Sequence, residues 1–134
     1  PSEDSRIEHR LHADELIVAI HIPAQPEGAN GAYLKMMDRA AWAFALVSAA
    51  AQVAVREGRV EHVRLVLGGV ANVPRRIHTA EDMLLGQQLT PDLAAQAGKL
   101  AVEGATPLAH NRYKVQLARE LAKRVLLAAT GQEY

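Results

Sequence analysis

The feature that most constrains this chain is an alternating run placed directly behind a tight turn. From Val60 to Val70, Val63, Leu65 and Leu67 alternate with His62, Arg64 and Val66, the period-two pattern of a strand buried on one face. Arg56-Glu57-Gly58-Arg59 precedes it, a good hairpin turn containing Gly. A long strand that close to a turn needs a partner. Residues 44–55 are therefore predicted to be a strand, although their alanines favour helix by intrinsic propensity. Small Ala side chains on that strand would let helices pack close to its face.

Other strand signals lie upstream. Glu15-Leu-Ile-Val-Ala-Ile-His-Ile-Pro23 is β-branched, nearly continuously apolar and stopped by Pro, and is predicted to be the first strand. His21 within it reads as a strand-face residue. Ala24 to Asn30, with Pro26, Gly28 and Asn30, reads as a loop. Tyr33 to Met37 is predicted as a short strand with Tyr33, Lys35 and Met37 on one face and Leu34 and Met36 on the other. Asp38 to Trp42 breaks the alternation and reads as a loop or bulge.

The pattern turns helical after residue 78. Thr79 with Asp82 resembles a capping box, and Gly86 supplies a stop. Thr90-Pro91-Asp92 starts a second helix, predicted to reach Val102 or Glu103. Asn111 is predicted to cap a third, whose apolar face is Val115, Ala118, Leu121, Ala122, Val125, Leu126 and Ala129; Gly131 ends it. Strands followed by helices predict an α+β domain: an antiparallel sheet of three to four strands, packed on one face by three C-terminal helices. The predicted division is a polar N-terminal tether at 1–13, the domain at 14–130 and a tail at 131–134. Pro1 with no preceding Met or signal-like segment suggests a processed product or a piece of a longer protein.

Composition narrows the function. Fifteen basic residues balance fifteen acidic ones, so no net basic field favours nucleic acid. There is no cysteine, which excludes disulfides, thiolate zinc and iron–sulfur ligation within the chain and fits a cytoplasmic protein. No apolar run approaches a membrane span. His9 and His12 lie three apart with no third ligand at a diagnostic spacing, and read as part of a solvated segment rather than a metal pair. Gly68-Gly69 lacks a phosphate-loop pattern and reads as a strand-end bulge. No nucleophile–base arrangement is legible; the acids and the six histidines are scattered, which argues against a self-contained hydrolase, metalloenzyme or kinase. Chemistry concentrates only at Tyr33, Lys35, Asp38, Arg39 and Trp42. The plain reading of Tyr33, Lys35 and Arg39 is a sheet-edge tyrosine with two solvated cations. The functional one is a ligand edge, with a ring for stacking, a point charge for an anionic oxygen or ring nitrogen, and Arg39 with Asp38 pinning the loop between them.

Ala32-Tyr-Leu-Lys-Met-Met-Asp-Arg, Ala43-Phe-Ala-Leu-Val-Ser, Val63-Arg-Leu-Val-Leu-Gly-Gly-Val-Ala, Pro74-Arg-Arg, Ala80-Glu, Leu85-Gly, Asn111-Arg-Tyr-Lys and Leu117-Ala follow one another in order. Together they resemble the C-terminal domain of the FAD-binding (medium) subunit of molybdenum hydroxylases, the carbon monoxide dehydrogenase and xanthine dehydrogenase type, over about residues 14–129. The resemblance implies an α+β sandwich, and a subunit that carries FAD and passes electrons from iron–sulfur clusters to an external acceptor. Molybdopterin and the 2Fe-2S clusters would sit in partner subunits. It implies that Lys35 lies by the flavin ring, that Tyr33 covers the ring, and that the loop Met37 to Trp42 with Arg39 lies nearby. The Gly-rich phosphate-binding domain that precedes this region in the family is absent from the chain, so the chain alone is expected to bind FAD poorly or not at all. A module that only docks to other proteins is the alternative.

Overall fold

The computed structural model describes residues 9–134. The first eight residues of the predicted tether lie outside the described residues. The elements are β1 (Ala29–Met36), β2 (Val47–Arg56), β3 (Arg59–Gly68), β4 (Arg75–Arg76), α1 (His78–Leu84), α2 (Pro91–Ala101) and α3 (Tyr113–Ala129). The strands form one antiparallel sheet in the order β1-β2-β3-β4, and the helices cover one face. The α+β expectation holds.

The β2–β3 hairpin is the centre of the fold. Its two turn residues, Glu57 and Gly58, have φ of 52° and 76°, the left-handed pair that matches strand twist in a two-residue hairpin. Alternation then sends Val47, Ala49, Ala51 and Val53 of β2 to the core, together with Val63, Leu65 and Leu67 of β3. Ser48, Ala50 and Gln52 point to the other face. The alanine-rich run is a strand because β1 and β3 both pair with it, and two ladders outweigh a fraction of a kcal/mol per residue of helix propensity.

On the covered face α3 crosses β2 and β1, with α2 beside it and α1 against β3. Ala118, Leu121, Ala122, Val125, Leu126 and Ala129 of α3 are buried, as its periodicity predicts. At the α2–α3 contact, a Cβ on Gly98 would come within 2.5 Å of the Arg119 carbonyl oxygen, so that residue sets how closely the two helices approach. Among the described residues no helix is long and apolar enough to cross a membrane.

Several expectations are corrected. Glu15–Pro23 is not a strand; it has no regular secondary structure, pairs with no strand among the described residues and exposes its aliphatic side chains. β1 begins earlier than Tyr33, because Ala29 and Asn30 pair with Ala54 and Val53. β2 begins at Val47 rather than residue 44, β3 ends at Gly68, and the two-residue β4 had no sequence signal. Thr79 does not cap α1. Buried Ile77 donates its N–H to the Leu65 carbonyl at 2.9 Å and takes the cap position, with no side-chain cap bond. Asn111 does not cap α3 through its side chain either. Arg112 is already helical, the Asn111 carbonyl accepts from Lys114 N–H at 2.9 Å, and the Asn111 Oδ1 is buried without a partner. Thr90 does cap α2, its Oγ1 accepting from Leu93 N–H at 3.2 Å. α2 ends at Ala101, and Gly86 and Gly131 follow their helices with φ of 75° and 71°.

Candidate functional site

β1 places two of the three candidate residues by its alternation alone. Ala32 and Leu34 pack inward against the core, which leaves Tyr33 and Lys35 on the face the helices do not cover. Sheet register gives them small neighbours. Tyr33 stands opposite Ala50, which stands opposite Val66; Lys35 stands opposite Ser48, which stands opposite Gly68. The result is a shallow depression bordered by the Tyr33 ring, Ala50, Gln52, Arg64 and Val66. The residue directly opposite the ring on β2 is the small Ala50, and Tyr33 is 62% exposed.

The loop after β1 folds back on the strand end. Leu46 N–H donates to the Met36 carbonyl at 2.8 Å and closes its base. Lys35 Nζ donates to the Ala43 carbonyl at 3.2 Å, and Arg39 Nη2 donates to the Trp42 carbonyl at 2.6 Å. The expected pinning of the loop by Arg39 is present, but through a backbone carbonyl; no Asp38–Arg39 ion pair occurs among the described residues. Trp42 has φ of 53°, uncommon for a bulky residue, and the Arg39 bond helps hold it. Trp42 and Phe44 are 97% and 99% exposed. Gly69 supports the loop from below. It has φ of 73°, and a Cβ there would come within 3.0 Å of the Leu46 carbonyl oxygen. Gly69 therefore lets backbone approach backbone, while a Cβ on Gly68 would meet the Ser48 side chain. Lys35 and Arg39 thus grip neighbouring carbonyls of one loop, with Tyr33 one strand repeat away.

Sequence reasoning missed a buried carboxylate. Glu81 is 3% exposed. Its Oε1 accepts from Leu65 N–H and from Arg76 Nε, each at 2.9 Å, and its Oε2 accepts from Arg76 Nη2 at 2.7 Å and Nε at 3.0 Å. Arg64 and His78 lie at 3.9 and 3.7 Å. Burial by itself would raise the Glu81 pKa, but the Arg76 hydrogen bonds, the Leu65 N–H and the two arginine charges outweigh it and hold the carboxyl below its usual range. The Arg76 guanidinium is raised in turn, chiefly by its bond to Glu81. The carboxylate replaces a strand: where β4 stops, Glu81 and Ile77 take over the β3 edge. This is a structural clasp. The sequence signal available was Glu81 itself within Ala80-Glu, four residues from Leu85.

A deeper cleft lies on the helical side, lined by Leu67, Arg75, Val102, Asn111 and Lys114. Lys114 Nζ donates across its mouth to the Gly69 carbonyl at 3.3 Å. None of Tyr33, Lys35 and Arg39 lines it. His9 and His12 form no cluster: His9 Nδ1 accepts from Leu11 N–H, and no group of three potential metal-ligating side chains occurs among the described residues.

A flavin ring is flat, apolar on its faces and polar along one edge. An exposed tyrosine ring over small neighbours, with a lysine alongside, suits one side of such a group. Among the described residues no Gly-rich turn opens a helix on this face, the arrangement that cradles a pyrophosphate.

Residues 32–129 match the CO dehydrogenase flavoprotein C-terminal domain. The chain is 39% identical over 134 residues to the FAD-binding subunit PaoB of the aldehyde oxidoreductase of Escherichia coli K12, covering 98% of this chain and 38% of that protein. It is 28% identical to the nicotine 6-hydroxylase medium subunit of Paenarthrobacter nicotinovorans, over 89% of this chain and 42% of that protein. Among solved structures, carbon monoxide dehydrogenase of Hydrogenophaga pseudoflava superposes with a TM-score of 0.75 at 29% identity, covering 82% of this chain and 39% of that one. Quinoline 2-oxidoreductase of Pseudomonas putida 86 superposes at 0.73 and 30%, covering 81% and 39%. The chain therefore spans about two fifths of the length of the proteins it matches. With the family pattern running from β1 to the end of α3 on the fold it implies, this chain belongs to the CO dehydrogenase flavoprotein C-terminal domain family.

Proposed function

We propose that this chain is the C-terminal domain of the FAD-binding subunit of a cytoplasmic molybdenum-hydroxylase-type oxidoreductase, where it closes one side of the flavin site. A bound flavin supplies the redox chemistry, accepting electrons and passing them to an external acceptor. The protein's part is positional and electrostatic. Tyr33 offers its exposed ring to one side of the flavin, over the small floor of Ala50 and Ser48. Lys35 sets a positive charge beside a ring that gains electrons, which favours the reduced state. Arg39 keeps the 37–46 loop folded against the strand end. A preceding domain of the same subunit would hold the phosphates, and partner subunits would carry the iron–sulfur clusters and molybdopterin.

The observation that carries this reading is the pairing of Tyr33 and Lys35 on the helix-free sheet face, each opposite a small residue of β2, Ala50 and Ser48. The test is the flavin reduction potential of the full-length subunit with Lys35→Ala and Lys35→Arg. Lys35→Ala is expected to lower the potential by about 30 mV, a tenfold change in a two-electron equilibrium, and Lys35→Arg to restore most of it. A potential that ignores both changes removes the flavin role. The nearly fully exposed Trp42 and Phe44 favour a second reading, a docking module, because exposed aromatics commonly anchor interfaces. That reading leads if Lys35 is silent while Trp42→Ala releases a partner subunit.

A further inference from the structure

The run from Glu15 to Pro23 is the largest unexplained apolar feature of the molecule. Were the run extended, period two would place Leu16, Val18, Ile20 and Ile22 on one side; they are 84%, 90%, 80% and 83% exposed. Ile17, Ala19 and His21 would fall on the other side. An acid precedes the run and a proline, which lacks an N–H donor, ends it. One wholly aliphatic side and one mixed side are the marks of a strand that covers a core with one face.

The run has an eligible partner within this domain and does not use it. β1 is an outer strand of the sheet, so one of its edges is free. The connection from Ala24 to Gly28 is long enough for a hairpin, and Ala29 N–H already donates to the Pro26 carbonyl in a turn. Yet the run joins no strand among the described residues. Four exposed aliphatic side chains in a row, with unpaired backbone, make a surface that water solvates badly and another sheet edge accepts well.

We propose that residues 15–22 form a β-strand added to the sheet edge of the domain that precedes this one in the same polypeptide, with Leu16, Val18, Ile20 and Ile22 entering that domain's core. The occupant follows from length and order. The chain spans about two fifths of the relatives it matches, the family it belongs to is a C-terminal domain, and the run sits on the N-terminal side, where the rest of such a subunit joins. This strand fixes the two domains relative to one another, and the short connection through Pro23 and Pro26 limits their freedom. The inference rests on the family assignment and not on the flavin role of Lys35, so loss of that role leaves it standing.

The test is amide hydrogen exchange of residues 16–22 in this chain alone and in the full-length gene product. In the chain alone these amides are expected to exchange at free-peptide rates. In the full-length protein they are expected to be slowed by at least about 100-fold, as paired strands are. The double variant Val18→Asp with Ile20→Asp should remove that protection and leave the thermal midpoint of the chain alone unchanged. If the double variant does not fold at full length, the comparison of the two natural sequences decides. Unprotected amides in the full-length protein overturn the proposal, as does a gene product that starts where this chain starts. Protection in the chain alone also overturns it: pairing with β1 if independent of concentration, a second copy if concentration-dependent.

Discussion

Two runs of this chain look like strands to different degrees, and local chemistry ranks them the wrong way round. Glu15–Pro23 is β-branched and apolar; the stretch within β2 from Val47 to Val55 is rich in alanine. The first is unpaired and exposed, the second the best-buried strand of the sheet. β-propensity describes how well a side chain fits a pleated, half-buried surface. It does not supply the neighbour that makes the surface. β2 has β1 on one side and β3 on the other, delivered by a two-residue turn and a folded loop. The upstream run has no neighbour among the described residues.

Truncating a side chain in each region should give the largest contrast. Leu65, fully buried within the core between sheet and helices, should cost about 3 kcal/mol as Leu65→Ala. Val18→Ala in the same chain should change stability by less than about 0.5 kcal/mol. Paired urea denaturation curves measure both. A large Val18 effect would mean that the run packs on this domain after all.

The contrast sharpens at the other edge of the sheet. There a side chain, not a strand, satisfies β3, and Glu81→Gln should cost about 2 kcal/mol near neutral pH, because Arg76 and Arg64 lose their counter-charge at a buried site. The pH dependence has a definite sign. A carboxyl whose pKa is lowered on folding contributes fully above its unfolded value, and that contribution is lost as pH falls through the folded value. Wild type and Glu81→Gln should therefore converge in stability on acidification. Denaturation midpoints from neutral pH downward measure this, and a constant gap would show that hydrogen-bond geometry rather than charge holds the clasp.

The smallest effect separates two helix starts that read alike. Thr90→Ala should cost about 1 kcal/mol, since its Oγ1 holds the Leu93 N–H. Thr79→Ala should be near neutral, since Thr79 lies inside α1 and makes no cap bond. Thermal midpoints of the two variants suffice. Equal losses would place Thr79 back at the cap.

Much of the site was legible because it depends on alternation. Tyr33 and Lys35 share a face as soon as β1 is a strand, and no tertiary detail changes that. What they face was not legible. The small floor of Ala50, Ser48 and Gly68 comes from cross-strand register, which links Lys35 to Ser48, Tyr33 to Ala50 and Ser48 to Gly68 across the turn and the loop. Arg39 could be assigned to a loop, but not to the Trp42 carbonyl that it holds.

The sequence by itself determined the class of fold, the β2–β3 hairpin, the inward faces of β3 and α3, the Thr90 start and the glycine stops. All of these follow from periodicity and from turn or cap chemistry, which act over a few residues. The tertiary structure alone decided which apolar run pairs, where β4 gives way to Glu81, why Ile77 rather than Thr79 begins α1, and how the Asn111 Oδ1 comes to be buried. Each of those depends on a partner far along the chain. Backbone groups and buried charges must be satisfied by whatever the fold brings near them, and no local pattern names that partner in advance.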